Sequence, residues 1–161
     1  MLTQARLHEV LHYDEFTGAF SWLKPPRGAK RGRCGTTRDR NYLRIRVDGQ
    51  LYYGHILAWL YVYGELLTTG LDHRDGDGLN NRIKNLRPAS QHQNQANERL
   101  QKNNTTGFKG VTLIRKTGRF VAQIMHHRRH EHIGVFATPE EAHAAYLARA
   151  EEIFGEYHRA R

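Results

Sequence analysis

The sequence is poor in cysteine. Of 161 residues, Cys34 alone carries a thiol, which excludes an intramolecular disulfide and any zinc site built on several thiolates. Long apolar runs are missing as well, and nothing approaches the roughly 18 consecutive apolar residues of a membrane-spanning helix. The opening MLTQARLHEV is broken by polar and charged side chains before an apolar stretch can form, unlike a secretory leader. Acidic residues are scarce beside basic ones: 16 Asp and Glu stand against 25 Lys and Arg, a formal net charge of +9. Hydrophobic residues are 39% of the chain, enough for small cores but not for one large one. No internal repeat and no low-complexity tract is present. The expectation is a soluble, basic, cytoplasmic protein whose excess charge calls for a polyanion. Since no basic helix with a large apolar face appears, nucleic acid is expected rather than a membrane surface.

The positive charge is unevenly spread. Between residues 24 and 46 stand Lys24, Arg27, Lys30, Arg31, Arg33, Arg38, Arg40, Arg44 and Arg46, with Asp39 the one acid. Pro25, Pro26, Gly28, Gly32 and Gly35 make this stretch loop-like, and its cations repel one another unless an anion is near. It reads either as a solvated connector or as a tracker of phosphates through Arg31, Arg33 and Arg38. Later, Lys109, Arg115, Lys116, Arg119, Arg128 and Arg129 face a single acid, Glu131, while the acids Glu140, Glu141, Glu151, Glu152 and Glu156 follow Pro139. The C-terminal part therefore has a basic half and an acidic half.

Periodicity and turn chemistry place the elements. Residues 3–12 read as a short helix capped by Thr3, with Leu7, Val10 and Leu11 on one face. Phe16 to Trp22 suggests a turn and a strand. Tyr42–Val47, Asp48-Gly49 and Gln50–Tyr53 form a strong hairpin signal, because Asp-Gly supplies the positive φ angles of a type I′ turn. HILAWLYVY, residues 55–63, is apolar nearly all round and stops before Gly64, as a buried helix does. Residues 85–89 read as a strand with Pro88 at an edge, and Ser90 opens a polar helix. Residues 102–106 read as a linker. Three strands follow, near 110–114, 119–125 and 132–136. A helix then opens at Thr138-Pro139-Glu140-Glu141 with an apolar face of Ala142, Ala145, Tyr146, Ala150 and Ile153.

The densest polar cluster is LDHRDGDGLNNRIKNLRPASQHQNQAN, residues 71–97. It resembles the ββα-metal fold of the HNH nucleases, in the subfamily of phage and intron-encoded endonucleases. The residues that match its pattern are Asp72, His73, Asp75, Gly76, Asn81, Arg82, Asn85, Leu86, Arg87 and Asn94, with Asp48-Gly49 and His55-Ile-Leu-Ala58-Trp59 upstream. The resemblance implies His73 as general base, its imidazole held by the side-chain carbonyl of Asn85. Asp72 and Asn94 would hold one divalent ion, and these oxygen ligands favour Mg²⁺ or Mn²⁺. His92 is the alternative ligand. Residues two apart on a helix point about 200° away from each other, so His92 and Asn94 cannot both face one ion. Arg82 and Arg87 would add DNA contacts.

An Asp-His pair beside a turn is ordinarily a capped loop, and only the matched spacing lifts this pair above that. Asp75-Gly76-Asp77-Gly78 resembles the start of an EF-hand, but with Asp75 in first place the twelfth is Leu86, not Glu. His126, His127, His130 and His132 invite a zinc site; without cysteines they read better as a solvated or phosphate-facing strip. His55 is either a support or DNA contact for the site, or a helix-start histidine packed beneath it.

Residues 107–161 resemble the APETALA/ethylene-response-factor type of DNA-binding domain. The match lies in Gly110-Val111, Phe120-Val-Ala122, Ile133-Gly134-Val-Phe136, Thr138-Pro-Glu-Glu-Ala142 to Tyr146, and Phe154-Gly155-Glu156. That family places its three-stranded sheet in the major groove, which makes Arg115, Lys116, Arg119, Arg128 and Arg129 the candidate contacts. The expected fold is α+β: a ββα-metal nuclease domain over 1–101, then a three-stranded antiparallel sheet packed on one helix over 107–161. The expected activity is metal-dependent hydrolysis of duplex DNA by a monomer or weak dimer, of homing or phage type and acting in the cytoplasm of a bacterial host. No membrane and no protein partner is implied. Two rivals stay open, a non-cleaving DNA-binding regulator on the same scaffold and a nuclease of structured RNA.

Overall fold

The computed structural model describes residues 2–28, 32–34, 37–39, 41–98, 100, 103–126 and 129–158, with backbone alone at 33 and 37–39. The chain divides into two compact units, Met1–Ala89 and Ser90–Arg161.

The first unit opens with α1 (Gln4–Val10), whose N-cap Thr3 accepts from Arg6 N at 3.2 Å. This helix is shorter than the sequence suggests. Leu11 is already extended and starts β1 (Leu11–Asp14), where buried and exposed residues alternate. β1 pairs antiparallel with β2 (Ala19–Trp22), setting Tyr13 opposite Phe20, and β3 (Gly32–Arg33) adds to β2. A second sheet joins β4 (Thr37–Asp39), β5 (Tyr42–Val47) and β6 (Gln50–Tyr53). Its Asp48-Gly49 turn has φ angles of 47° and 81°, the conformation for which Asp-Gly is suited.

Next, α2 (Gly54–Tyr63) ends on Gly64 in the left-handed region. Leu7, Leu11, Phe20, Ile45 and Leu57 are buried together in the core of this unit. β7 (Gly70–His73) and β8 (Leu86–Ala89) form an antiparallel pair with Asp72 opposite Arg87 and His73 opposite Leu86. Between them runs a loop that closes with a single 3-10 turn, Ile83–Asn85. Asn85 is thus in that turn and not on the second strand.

The second unit begins with α3 (Gln91–Asn97), closed at its start by a reciprocal capping box between Ser90 and Gln93. β9 (Val111–Ile114), β10 (Arg119–His126) and β11 (Arg129–Phe136) form an antiparallel sheet with β10 in the middle and a register shift at Ala122/Gln123. α4 (Pro139–Phe154) starts on a second capping box, Thr138 with Glu141. Its Ala142, Tyr146, Ala150 and Phe154 cluster with Val111, Ala122 and Ile124. Alanine on both sides lets helix and strand backbones approach closely.

The unit boundary lies earlier in the chain than the sequence suggests, after Ala89 and not near residue 101. Ala96 of α3 is buried in the second core, and Lys109 Nζ donates to the carbonyls of Ala96 and Glu98 at the end of that helix. Of the expected linker 102–106, residues 103–106 open a bonded turn in which Asn104 Oδ1 accepts from Thr106 N and Gly107 N. Among the described residues, no helix is long and apolar enough to cross a membrane.

Candidate active site

His73 ends β7 and is buried at 5% exposure. Its Nε2 lies 3.3 Å from Asn81 Oδ1. Asn81 is itself 1% exposed. The carbonyl of Asn81 accepts from the Tyr13 hydroxyl at 2.6 Å. Two glycines make room for Asn81. A Cβ at Gly54 would come within 2.9 Å of its Nδ2, and one at Gly18, where φ is +71°, within 2.6 Å of the Asn81–Arg82 peptide.

Aromatic rings line the other side of the imidazole. The His55 ring meets His73 edge-on at 5.1 Å between centroids, Tyr42 lies 5.9 Å from His73, and Tyr53 stacks on His55 at 5.4 Å. Burial pushes the His55 imidazole down to about 3, with nearby His73 adding to the effect. Burial also pushes His73 below its ordinary value, opposed by the Asn81 hydrogen bond and by Asp75, Asp72 and Asp77. Burial thus favours the neutral form of both rings. A neutral imidazole keeps the lone pair that a general base requires.

The loop after His73 is built on Asp75. Burial disfavours its ionisation, but hydrogen bonds from Asp77 N, Asn80 and Asn85 prevail and hold its carboxyl below the ordinary value. Asn85 donates to Asp75 Oδ1 at 3.0 Å and to Asn80 O at 2.8 Å, and it accepts from Asp75 N at 3.1 Å. The expected bond from Asn85 to the His73 ring is thus not the one formed. Asn85 braces the Asp75 loop, and the side chain on His73 is Asn81. The sequence carried the signal, since Asn81 stands in the matched pattern, but spacing assigned it no role.

Asp72 and Arg87 form a buried ion pair across β7 and β8. Arg87 Nε and Nη2 both reach Asp72 Oδ2, at 2.9 and 2.8 Å. With Arg87 4% exposed, the expectation of a DNA contact there is corrected: its guanidinium is taken up inside the protein. Arg82, by contrast, is exposed.

Asn94 and His92 lie on α3 in the second unit, whereas Asp72 lies in the first. Asn94 N bonds to Ser90 O in the first turn, and its Oδ1 is shielded from solvent. His92 lines a cavity of about 480 Å³ with Gln95, Lys109, Met125 and His130. Among the described residues, no group of three or more His, Cys, Asp or Glu side chains could hold a metal. The expected pair is a carboxylate and an amide, both hard oxygen donors, which suits Mg²⁺ or Mn²⁺.

Arg115, Lys116 and Arg119 are exposed around the β9–β10 turn, and Arg129 is exposed at the start of β11. The one acid of the basic strands, Glu131, is bridged by Arg149 of α4 at 2.7 Å. Leu113, Met125 and Val135, one on each strand of this sheet, are exposed as well. Arg31 and Arg128 lie outside the described residues, as do the side chains of Arg33 and Arg38.

Residues 52–96 match the sequence model of the HNH endonuclease family. The matched segment runs from β6 into α3 and holds Asp72, His73, Asn81, Asn85 and Asn94. The match supports a nuclease; HNH enzymes act on DNA and generally use divalent metal ions. No curated protein and no solved structure matches the chain.

Proposed function

We propose that this protein is a metal-dependent endonuclease of phage or homing type that hydrolyses phosphodiester bonds in duplex DNA. His73 is the general base, and one Mg²⁺ or Mn²⁺ is held by Asp72 and Asn94. Residues 107–161 act as a DNA reader of the APETALA type. The observation that carries this reading is a buried His73 fixed by hydrogen bonding inside the segment that matches the nuclease family.

An unprotonated nitrogen of His73 takes a proton from water. The water oxygen bonds to phosphorus as the bond to O3′ breaks, leaving a 5′-phosphate and, after proton uptake from solvent, a 3′-hydroxyl. When bound, the cation supplies positive charge against the phosphate and the leaving oxygen. Arg82 and the exposed cations of the β9–β10 turn hold the DNA backbone or read base edges. One such site per monomer makes nicking the expected outcome.

The test is to incubate supercoiled plasmid with the protein and Mg²⁺, with and without EDTA, beside structured RNA. Nicking of DNA that EDTA abolishes is expected. DNA binding without metal-dependent cleavage would favour a regulator on the same scaffold, and preferential RNA cleavage would move the substrate class.

A further inference from the structure

We propose that Asn81 is the positioning residue of the base: it accepts a hydrogen bond from His73 Nε2–H and so leaves Nδ1 as the nitrogen that takes the proton from water. The proposal rests on His73 being the general base and adds which nitrogen works and what selects it.

An amide oxygen only accepts, so a bond from His73 Nε2 to Asn81 Oδ1 requires the hydrogen on Nε2. A neutral imidazole has one N–H, so Nδ1 is then the lone-pair nitrogen. The direction of the Asn81 amide is fixed by the main chain. Its Nδ2 donates to Leu79 O at 3.4 Å, and the flipped amide would set oxygen against oxygen there. The Asn81 backbone is held in turn. Tyr13 Oη donates to its carbonyl, its own N–H bonds to Leu79 O, and Gly18 packs on the peptide to Arg82. Gly54, at the start of α2, lies against Nδ2. Residues from β1, the β1–β2 turn and α2 thus converge on one fully buried amide whose oxygen meets the imidazole. Asn85 is occupied by Asp75 and Asn80, so it does not duplicate this contact.

The test uses the full chain as wild type and as Asn81→Leu, Asn81→Asp and His73→Ala. Asn81→Leu keeps the branched shape and removes the acceptor, while Asn81→Asp keeps an acceptor oxygen towards His73 but sets its second oxygen against Leu79 O. Single-turnover nicking at saturating DNA and Mg²⁺ should fall on the order of 10–100-fold in Asn81→Leu, part of the roughly 10²–10⁴ a positioned base contributes. DNA affinity should stay within about threefold, because it comes from phosphate contacts elsewhere. Asn81→Asp should nick faster than Asn81→Leu but below wild type, since its second oxygen opposes Leu79 O and its charge favours the imidazolium. Imidazole ¹⁵N NMR without metal or DNA should show a slowly exchanging His73 Nε2–H in wild type and in Asn81→Asp, and its loss in Asn81→Leu.

A wild-type His73 carrying its proton on Nδ1 overturns the proposal, and that spectrum needs no variant to fold. A folded Asn81→Leu that nicks at the wild-type rate overturns it too, provided His73→Ala is inactive. If His73→Ala nicks normally while the Nε2–H signal is present, the general-base reading has failed and the Asn81 contact has not.

Discussion

Asp72 and Arg87 are both nearly inaccessible and lie opposite each other in β7 and β8. Removing one partner of such a pair leaves a buried charge without its counterion, a change that costs about 3–5 kcal/mol. Arg87→Met should therefore lower stability by about that amount in urea unfolding, while the salt dependence of DNA binding stays unchanged. A flatter salt slope would return Arg87 to the DNA contacts. His55 gives a test in pH. Its folded value, about 3, lies below the ordinary 6.5, so below pH 6.5 the unfolded chain binds a proton there that the folded chain refuses. The stability gained by keeping His55 neutral is present above pH 6.5 and is lost as pH falls from there towards about 3. Thermal melts of His55→Phe should be less acid-sensitive over that interval than those of wild type, with His73 supplying the slope that remains. Equal slopes would mean His55 is charged in the folded state. The sequence identified His73 and the Asn-rich loop but not which asparagine holds the ring. Spacing along a chain fixes neighbours in sequence, and the direction of a side-chain amide depends on three other segments that close around it.

α3 has seven residues, too few for a helix that is stable alone in water, where roughly 12–15 are needed. Its hold comes from the Ser90 capping box, the burial of Ala96 and the Lys109 ammonium on its last carbonyls, a favourable place for a cation. Lys109→Met should speed amide hydrogen exchange across Gln91–Asn97 while the amides of α4 keep their protection. Unchanged exchange in α3 would show that Ala96 and the cap suffice. Deleting residues 107–161 removes Lys109 and the core that receives Ala96, so α3 is expected to unfold with the deletion. Elements set by local chemistry were legible in the sequence: the Asp48-Gly49 hairpin, α2 ending on Gly64, and the Thr138-Pro139 start of α4. β1 was not, for a physical reason. Leu7 and Leu11 stand one helical turn apart, whereas Leu11 and Tyr13 stand one strand repeat apart, so the same leucine satisfies both periods. The unit boundary was hidden likewise, because a polar helix followed by Asn, Thr and Gly reads as an exit into a linker. Only the long-range burial of Ala96 reveals that it belongs to the second core.

At the scale of the whole molecule the governing quantity is a net charge of +9, carried by two basic stretches that the sequence sets apart. The two are expected to bind DNA differently. Arg31, Arg33 and Arg38 lie in a glycine- and proline-rich stretch, and if they track phosphates they should contribute equally on every sequence. Each phosphate contact contributes about 0.9 to the slope of log K against log salt, so neutralising all three should flatten it by roughly 2–3 with sequence preference unchanged. Arg115 stands in the β9–β10 turn and Arg119 opens β10, and Leu113 of β9 is exposed too, a mixture of cation and apolar surface suited to base edges. If either reads a base, its replacement by alanine should cost about 1–3 kcal/mol at one position of the site and relax the preference there, with the slope nearly unchanged. Salt titrations on cognate and scrambled duplexes separate the two behaviours. An unchanged slope in the triple variant would leave residues 24–46 as a solvated connector. Binding would then rest on Arg82 and the second unit, whose charge is less opposed because Arg149 already pairs Glu131.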